Sequence, residues 1–178
     1  MDRFDIMDTM QTMRVIADTR EQANPRAVER FAALGPSLER ATLDYGDYCA
    51  NVTLPDGRPL YDISGRITPA CVIERKMSLD ETVACFTRDR MRFEREFQRA
   101  RDAGAKIYLL IEDGSWDAIR RHEYRSRFRP KAFIASLTAW MARYDTTVIF
   151  CRPGYSGQMI REILYRDIKE RLGRGECG

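Results

Sequence analysis

Two acidic residues and one lysine form the pattern in this sequence that is best suited to chemistry. Asp47 follows a glycine, and Glu74 and Lys76 stand two residues apart. Carboxylate oxygens are the ligands that Mg²⁺ and Mn²⁺ prefer, and such an ion can acidify a water molecule and neutralise charge on a phosphate. A nearby lysine can hold that water or stabilise a negative transition state. The pattern indicates metal-dependent cleavage of a phosphodiester, although acids and lysines are too common for it to be specific.

Length and composition favour one globular domain. The chain has 178 residues, 44% of them hydrophobic, which argues against wholesale disorder. No apolar run approaches the ~20 residues of a membrane span, and the acidic N-terminus lacks the apolar core of a signal peptide. The five cysteines are scattered without a C-x-x-C pair, which disfavours a disulfide framework or a zinc site and fits a reducing compartment. We expect residues 1–178 to form a single domain with flexible ends at 1–12 and 173–178.

Positive charge is concentrated in residues 120–131. This segment has six basic residues against one acid, Glu123, although the net charge of the chain is only +3. The basic residues are Arg120, Arg121, Arg125, Arg127, Arg129 and Lys131. Such a cluster is suited to gripping a polyanion, with Tyr124 and Phe128 available to stack on bases, but a solvated charged surface is an equal alternative. The only histidine, His122, is a conceivable general base, although a phosphate contact or no role fits it better.

The order of apolar runs and turn signals predicts a layered α/β fold. Strands are expected at residues 13–17, 39–43, 49–54, 59–64, 70–73, 106–112 and 147–151, with a hairpin turn at Asp56-Gly57. Helices are expected at 25–34 behind an N-cap at Asn24, from Ser78 to about 103 with a possible kink at 87–89, after Ser115, at 130–144 and at 156–172. This alternation favours a central mixed sheet with helices on both faces. The acids then fall at strand ends, where ligands bind in open α/β sheets.

The same residues resemble the nuclease domain of the XPF family of structure-specific endonucleases. That family carries a GD pair, a gap and an ERKxxxD block, which here are Gly46-Asp47 and the run from Glu74 to Asp80, with Asp18-Thr19-Arg20-Glu21 upstream. The resemblance covers roughly residues 13–151. Two departures stand out, since the predicted hairpin lengthens the gap and nothing corresponds to the helix-hairpin-helix domain of larger members. The resemblance implies a stand-alone nuclease domain, of the kind expected in a phage or bacterium.

The resemblance also implies a restriction-endonuclease-like fold of the PD-(D/E)xK type and a set of site residues. Metal ligands for Mg²⁺ or Mn²⁺ would be Asp18, Asp47 and Glu74, with Glu21 and Asp80 as outer ligands. Catalytic residues would be Asp47, Glu74, Lys76 and Arg75. DNA-binding residues would be Arg20, Arg92 and the six basic residues of 120–131. Ordinary roles are equal alternatives for some of them, because Asp80 suits a helix N-terminus and the arginines suit structural ion pairs.

The substrate that the resemblance implies is DNA with a branch, a flap or a single-strand/double-strand junction. Two alternatives stay open: another PD-(D/E)xK nuclease, restriction-like or Holliday junction-resolving, and a non-catalytic DNA-binding partner subunit, against which the complete signature argues. We expect a homodimer or heterodimer through helices 130–144 and 156–172, whose apolar residues could equally fill the monomer core. We expect no membrane association, and a cytoplasmic location in a prokaryotic or phage-infected cell or a nuclear one in a eukaryote.

Overall fold

The computed structural model describes residues 2–21 and 25–176, and these residues form seven strands and seven α-helices. The strands are β1 Arg14–Asp18, β2 Leu38–Leu43, β3 Tyr48–Asn51, β4 Arg66–Ile67, β5 Cys71–Lys76, β6 Lys106–Glu112 and β7 Thr147–Cys151. The helices are α1 Arg3–Gln11, α2 Pro25–Leu34, α3 Leu79–Phe86, α4 Arg90–Asp102, α5 Trp116–Arg120, α6 Pro130–Tyr144 and α7 Ser156–Gly173. Strands and helices alternate along most of the chain, as the sequence predicts.

The strands form a mixed sheet in the order β4-β2-β1-β3-β5-β6-β7. Neighbours pair in parallel except for β3, which runs antiparallel to both β1 and β5. The carboxyl ends of β1, β5 and β6 therefore lie at the same edge as the amino end of β3. Because β3 begins at Tyr48, the residue just before it meets the last residues of β1 and β5. Polar residues from distant parts of the sequence converge at this edge.

Helices cover both faces of the sheet, which confirms the predicted α/β class. Helices α3, α4 and α6 pack on one face, here called the α4 face, where the rings of Phe93 and Trp140 stack with centroids 5.7 Å apart. Helices α2 and α7 cover the opposite face, here called the α2 face, where Ile160, Leu164 and Ile168 are buried. Each face therefore has its own apolar core.

Most of the apolar residues considered for a dimer interface lie inside the monomer. Phe133, Leu137 and Trp140 of α6 and Leu164 of α7 are buried, whereas Met141 is exposed. The structure therefore favours the alternative in which these helices fill the monomer core. Dimer formation through other residues of α6 and α7 stays a prediction.

Alternation along β5 sends neighbouring side chains to opposite faces of the sheet. Val72 packs in the core of the α4 face, and Ile73 packs in the core of the α2 face. By the same period of two, Glu74 and Lys76 face α4, and Arg75 faces α2. All six residues of β5 are buried, and the strand continues through Lys76 rather than ending at Ile73. The three residues of the ERK block are thus divided between two different surroundings.

The expected hairpin is the main error in the predicted strands. Residues 59–64 do not form a strand, and a single bridge joins Thr53 to Pro59. Two backbone bonds join residues 52 and 54 to residues 60 and 58. Beyond them the Asn51 side chain takes over, since it accepts from the Tyr61 amide at 2.9 Å and donates to the Tyr61 carbonyl at 2.8 Å. A proline also lacks the amide that a ladder requires. The short strand β4, which pairs in parallel with β2, was not predicted.

The N-terminal residues form α1 where a flexible segment is expected. Asp2 caps this helix by accepting hydrogen bonds from the amides of Phe4 and Asp5, and Met10 is buried in the core of the α2 face. Residues 3–11 are therefore helical, with both a cap and a buried anchor, and the flexibility expected over residues 1–12 stays a prediction. At the other end α7 reaches Gly173. Asn24, Cys177 and Gly178 lie outside the described residues.

Two predictions about the helices are confirmed, the break between α3 and α4 and the serine caps. Helices α3 and α4 are separate, with the break at residues 87–89, and Ser78 and Ser115 cap α3 and α5 through their side-chain oxygens. The four described cysteines, Cys49, Cys71, Cys85 and Cys151, are unpaired. Across the described part of the chain, no helix combines the length and apolar character needed to cross a membrane.

Candidate active site

Asp47 is fixed at the sheet edge by the residues around it. Gly46 has a φ of 72° and lies so close to β5 that a Cβ would stand 2.1 Å from Val72 Cγ2, so only glycine fits there. The Asp47 amide donates to a β5 carbonyl at 2.9 Å, and its carbonyl accepts from the Asp18 amide at 2.8 Å. The Asp47 Oδ2 accepts from the Arg75 amide at 2.7 Å. These contacts hold Asp47 between the ends of β1 and β5.

Strand β5 brings Glu74 and Lys76 to the same edge. Both side chains are buried, and Lys76 Nζ forms an ion pair with Glu74 Oε1. The same Nζ lies 5.3 Å from the ring centroid of Phe93, whose face attracts a cation. Lys76 is therefore a fixed positive charge beside a carboxylate, rather than a mobile surface side chain.

Asp47, Glu74 and Lys76 border one cavity of about 330 Å³. Most of its other lining residues are also charged, among them Arg20, Glu21, Arg92 and Glu96. The cavity opens at the edge of the sheet where the carboxyl ends of β1 and β5 meet. The structure thus brings together the three residues with which the sequence pattern began, and adds arginines that could contact a phosphate.

Sequence reasoning missed two acids that line this cavity. Glu96 stands four residues after Arg92 on α4, and its Oε1 accepts from the Gly46 amide at 3.0 Å. Glu81 lies in the first turn of α3 and accepts from the Met77 amide. The i, i+4 spacing of Arg92 and Glu96 was the available signal, but that spacing is common on helix surfaces.

Burial and mutual repulsion shift the protonation of the cavity acids. The pKa of Asp47 is raised to about 8, because burial disfavours its charge and Glu74 adds a second negative charge. Burial also raises the pKa of Glu74, against the opposing effect of Lys76. Burial alone would lower the pKa of Lys76, but Glu74 outweighs it and the pKa lies above its ordinary value. Lys76 therefore does not fully compensate the two carboxylates, and a bound cation would stabilise both.

The donor atoms of the cavity fit a hard divalent cation. Asp47 uses Oδ2 for the Arg75 amide, which leaves Oδ1 for a ligand, and Glu74 supplies a second carboxylate. Within residues 2–21 and 25–176, no group of three or more acidic, histidine or cysteine side chains forms a complete metal site. Mg²⁺ commonly binds through one or two carboxylates and completes its shell with water and substrate phosphate. Asp47 and Glu74 would hold such an ion here.

Asp18 faces the same side of the sheet but already has protein donors. Its carboxylate accepts from Arg20 Nε at 2.6 Å, the Arg20 amide at 2.8 Å and the Leu43 amide at 2.7 Å. Burial opposes its ionisation, but the bonds from Arg20 and Leu43 keep the pKa of Asp18 below its ordinary value. Asp18 does not line the cavity. This geometry favours a structural role, and the metal role implied by the resemblance stays a prediction.

Asp80 also lies outside the cavity wall. Its Oδ1 accepts from the Arg125 amide at 3.1 Å and from the Ser126 amide at 2.8 Å. Burial opposes the ionisation of Asp80, but the bonds from Arg125 and Ser126 together hold its pKa below the ordinary value. Asp80 therefore contacts the basic segment rather than Asp47 or Glu74.

Glu21 and Arg75 border the cavity and also join a buried cluster on the α2 face. Arg30 of α2 donates to Glu21 Oε1 at 2.6 Å, to Glu112 Oε1 at 3.0 Å and to the Tyr48 hydroxyl at 2.8 Å. Arg75 Nη2 lies 3.1 Å from Glu21 Oε1. We call these five residues the ion-pair network. The ligand role predicted for Glu21 and the catalytic role predicted for Arg75 stay predictions, because the network engages both side chains.

The six basic residues of segment 120–131 are exposed. Three of them have acidic partners, since Arg120 pairs with Asp117, Arg121 with Glu123 and Arg125 with Asp80. The other three, Arg127, Arg129 and Lys131, form no ion pair with the described residues. The segment therefore presents a net positive surface in which these last three charges are uncompensated.

The aromatic residues of this segment anchor it to the core. Tyr124 and Phe128 are half-buried against Phe133, with ring centroids 5.4 and 6.0 Å from it. The Tyr124 hydroxyl donates to the Phe128 carbonyl at 2.6 Å. A His122 ring nitrogen lies 2.7 Å from the Ser126 carbonyl. This arrangement favours a structural role for the rings over stacking on bases.

A family model for the ERCC4 domain matches residues 17–161. The chain belongs to this family. The match includes every residue described above at the cavity and the whole basic segment, so the ERCC4 domain comprises both. No curated protein sequence matches the chain.

The fold of this ERCC4 domain is similar to that of two structures of XPF from Aeropyrum pernix. One has a TM-score of 0.58 and 18% sequence identity, with 86% of this chain and 61% of that chain covered. The other, a complex with DNA, has a TM-score of 0.59 and 20% identity, with 89% of this chain and 66% of that chain covered. The predicted XPF-like, restriction-endonuclease-like fold is confirmed. The ERCC4 domain spans less than two thirds of either XPF chain.

Proposed function

We propose that this ERCC4 domain is a metal-dependent DNA endonuclease. It hydrolyses phosphodiester bonds at branched DNA or at single-strand/double-strand junctions, with Mg²⁺ or Mn²⁺ as cofactor. The observation that carries the proposal is the convergence of Asp47, Glu74 and Lys76 on one charged cavity at the sheet edge. Family membership supports nuclease activity on DNA, and the structure of Aeropyrum pernix XPF in complex with DNA supports DNA as the partner.

The residues of the cavity have distinct parts in this proposal. Asp47 and Glu74 hold the cation, which supplies positive charge to the scissile phosphate and makes the attacking water more acidic. Lys76 Nζ, already fixed against Phe93, stabilises the charge that develops on the phosphate oxygens. Arg92 and Arg20 border the same cavity and orient the phosphate through their guanidinium groups.

Two other functions could use the same residues and fold. A restriction-like or junction-resolving nuclease would use the same cavity on a different DNA structure. A non-catalytic partner subunit would keep the fold and the basic segment without the chemistry, but Asp47, Glu74 and Lys76 are all present and assembled. The shape of the DNA that is cut distinguishes the first alternative, and the absence of cutting distinguishes the second.

The test is cleavage of labelled linear, flap, forked and four-way-junction DNA with Mg²⁺, Mn²⁺ or EDTA. We expect cleavage of junction-containing DNA with either metal and none with EDTA. Asp47→Asn and Lys76→Ala should each lower the single-turnover rate by at least about 100-fold, because the first weakens the hold on the cation and the second removes a positive charge beside the reacting phosphate. Asp102→Asn is the matched control, since Asp102 is exposed at the carboxyl end of α4. Wild-type rates for Asp47→Asn would contradict the proposal.

A further inference from the structure

One carboxylate ties the basic segment to the active-site region. Asp80 Oδ1 accepts from the amides of Arg125 and Ser126 at 3.1 and 2.8 Å, and Oδ2 lies 3.5 Å from Arg125 Nε. Asp80 stands in the first turn of α3, only four residues after Lys76. A carboxylate that accepts several N–H groups is a stronger tether than a neutral acceptor. The contact therefore fixes the position of residues 125 and 126 relative to β5.

The tethered residues belong to an irregular loop, residues 121–129, between α5 and α6. The outer parts of this loop are held by their own contacts, since Tyr124 packs on Phe133 and the His122 ring bonds the Ser126 carbonyl. Those contacts join the loop to itself and to α6. The hydrogen bonds that join this loop to α3, among the described residues, are those from the Arg125 and Ser126 amides to Asp80.

A groove of about 740 Å³ runs between α3 and this loop. Its walls include Asp80, Arg88, Arg125 and Ser126, and it shares Met77 and Glu81 with the active-site cavity. The cavity and the groove therefore adjoin at the amino end of α3. Arg125 and Ser126 of the loop line the groove, and the uncompensated Arg127 and Arg129 follow them in the same loop.

We propose that Asp80 is a positioning residue for DNA, which holds the basic loop along this groove so that the arginines of the loop contact the backbone of the strand entering the cavity. This inference rests on the proposed function. It assigns Asp80 no ligand or catalytic role, because its oxygens are directed to the loop amides and it does not line the cavity.

Whether substitution of Asp80 strengthens or weakens DNA binding distinguishes a tether from a purely electrostatic role of this acid. Removal of an acid next to a basic surface reduces repulsion with a polyanion and strengthens DNA binding. Loss of the tether does the opposite, because the loop no longer presents its charges along the groove. Asp80→Ala removes both the charge and the acceptors, whereas Asp80→Asn removes the charge but retains Oδ1, which receives both amides.

The experiment measures binding of fluorescein-labelled forked DNA by anisotropy in EDTA, over a series of salt concentrations. We expect Asp80→Ala to weaken binding about 3- to 10-fold and to reduce the salt slope by about one to two, since one or two phosphate contacts are lost. Asp80→Asn should bind at least as well as the wild type. Asp5→Ala is the matched control, since it removes an exposed acid from the first turn of α1.

Two results would overturn the proposal. If both Asp80 variants bind DNA more tightly, the residue acts only through its charge. If both bind normally but lose metal-dependent cleavage equally, Asp80 is a metal ligand after all. Under the proposal, Asp80→Ala instead raises the DNA concentration for half-maximal single-turnover cleavage by a larger factor than it lowers the saturating rate. Asp80→Asn should have a half-maximal DNA concentration close to that of the wild type.

Limited trypsin digestion reports on the loop itself. Arg125 and Arg127 are exposed cleavage sites, whereas the bond after Arg129 precedes Pro130 and resists trypsin. We expect Asp80→Ala to be cut within residues 121–131 several-fold faster than the wild type, and Asp80→Asn to be cut at close to the wild-type rate. Equal digestion of all three proteins would contradict the tether. Wild-type protein that binds DNA without cleaving it would overturn the proposed function while leaving these binding and digestion results to decide the role of Asp80.

Discussion

The two faces of β5 treat buried charge in opposite ways. On the α4 face, Lys76 is the one positive side chain that compensates Asp47 and Glu74. The pKa of Asp47 rises to about 8 through burial and the charge of Glu74. On the α2 face, the ion-pair network places two arginines against two glutamates at distances of 2.6 to 3.5 Å. The first site has more acids than its one lysine compensates, and the second has equal numbers of acids and arginines.

This difference shows how the ERK block of β5 contributes both to the candidate active site and to the packing of the fold. Unbalanced acids in a cavity attract a cation and are typical of functional sites, whereas balanced buried pairs fix the relative position of the elements that carry them. The network joins α2, β3, β5 and β6 beneath the cavity. Alternation along the strand puts Glu74 and Lys76 in the first environment and Arg75 in the second.

The largest effect is expected from Arg30→Met. Arg30 is 1% exposed and contacts both glutamates of the network, so its loss leaves two buried carboxylates with Arg75 as the one remaining arginine of the network. We expect the free energy of unfolding to fall by about 3–5 kcal/mol, measured by urea denaturation at pH 7.

Arg26→Met is the control for this prediction. Arg26 lies one turn earlier on α2, and its side chain is 38% exposed. It pairs with Asp113 at 2.7 Å and reaches Glu112 Oε2 of the network only at 3.8 Å. An exposed pair of this kind contributes about 0–1 kcal/mol. Equal losses for the two variants would mean that burial does not distinguish the network, and the comparison between the two faces would fail.

A smaller effect is expected from Asp18→Asn, which tests an acid on the α4 face that is fully paired. An asparagine keeps one acceptor but loses the charge that Arg20 Nε and the Leu43 amide bind. We expect unfolding free energy to fall by about 1.5 kcal/mol at pH 7. The rise in Tm on adding Mg²⁺ should persist in Asp18→Asn and disappear in Asp47→Asn. The reverse pattern would identify Asp18 as the metal ligand.

The pH dependence of this loss has a definite sign. The folded-state pKa of Asp18 lies below its ordinary value of 3.8, despite burial, because Arg20 and Leu43 bond the charged form. Its stabilisation is therefore present above pH 3.8 and is lost as the pH falls through the folded-state value. The difference in Tm between wild type and Asp18→Asn should be constant from pH 7 to about 5 and shrink below about 4. A difference that grows on acidification would contradict this account.

The sequence was sufficient to predict that Asp47, Glu74 and Lys76 converge. It was not sufficient to predict which groups surround the other acids. The first three were predictable because two belong to a compact motif and all lie at ends of strands that had to pair. Asp18 and Asp80 were not, because their partners are backbone amides 25 and 46 residues away, at Leu43 and Ser126. Any residue type presents such an amide, so no side-chain pattern marks it.

The errors in secondary structure have the same origin. The turn signal at Asp56-Gly57 was sound, but the Asn51 side chain took the place of the second strand by bonding the Tyr61 backbone. The ion-pair network could not be predicted from the sequence either. The sequence gives Arg30 no feature that distinguishes it from a surface residue of α2, and its partners Glu112 and Tyr48 come near only in the folded chain. In each case a polar side chain forms its bonds with residues that only the folded chain brings near.

The smallest effect is expected from Arg75→Lys, which tests whether the ERK block acts as one unit. The backbone amide of Arg75 that holds Asp47 Oδ2 is unchanged by this substitution, and a lysine can still pair with Glu21. Arg75 Nε and Nη1 have no hydrogen-bond partner among the described residues, so little bonding is lost with the guanidinium fork. We expect unfolding free energy to fall by about 1 kcal/mol. Cleavage should fall far less than in Asp47→Asn. If cleavage falls as far while the urea midpoint is kept, the Arg75 guanidinium reaches the phosphate, and the division of the motif between the two faces is wrong.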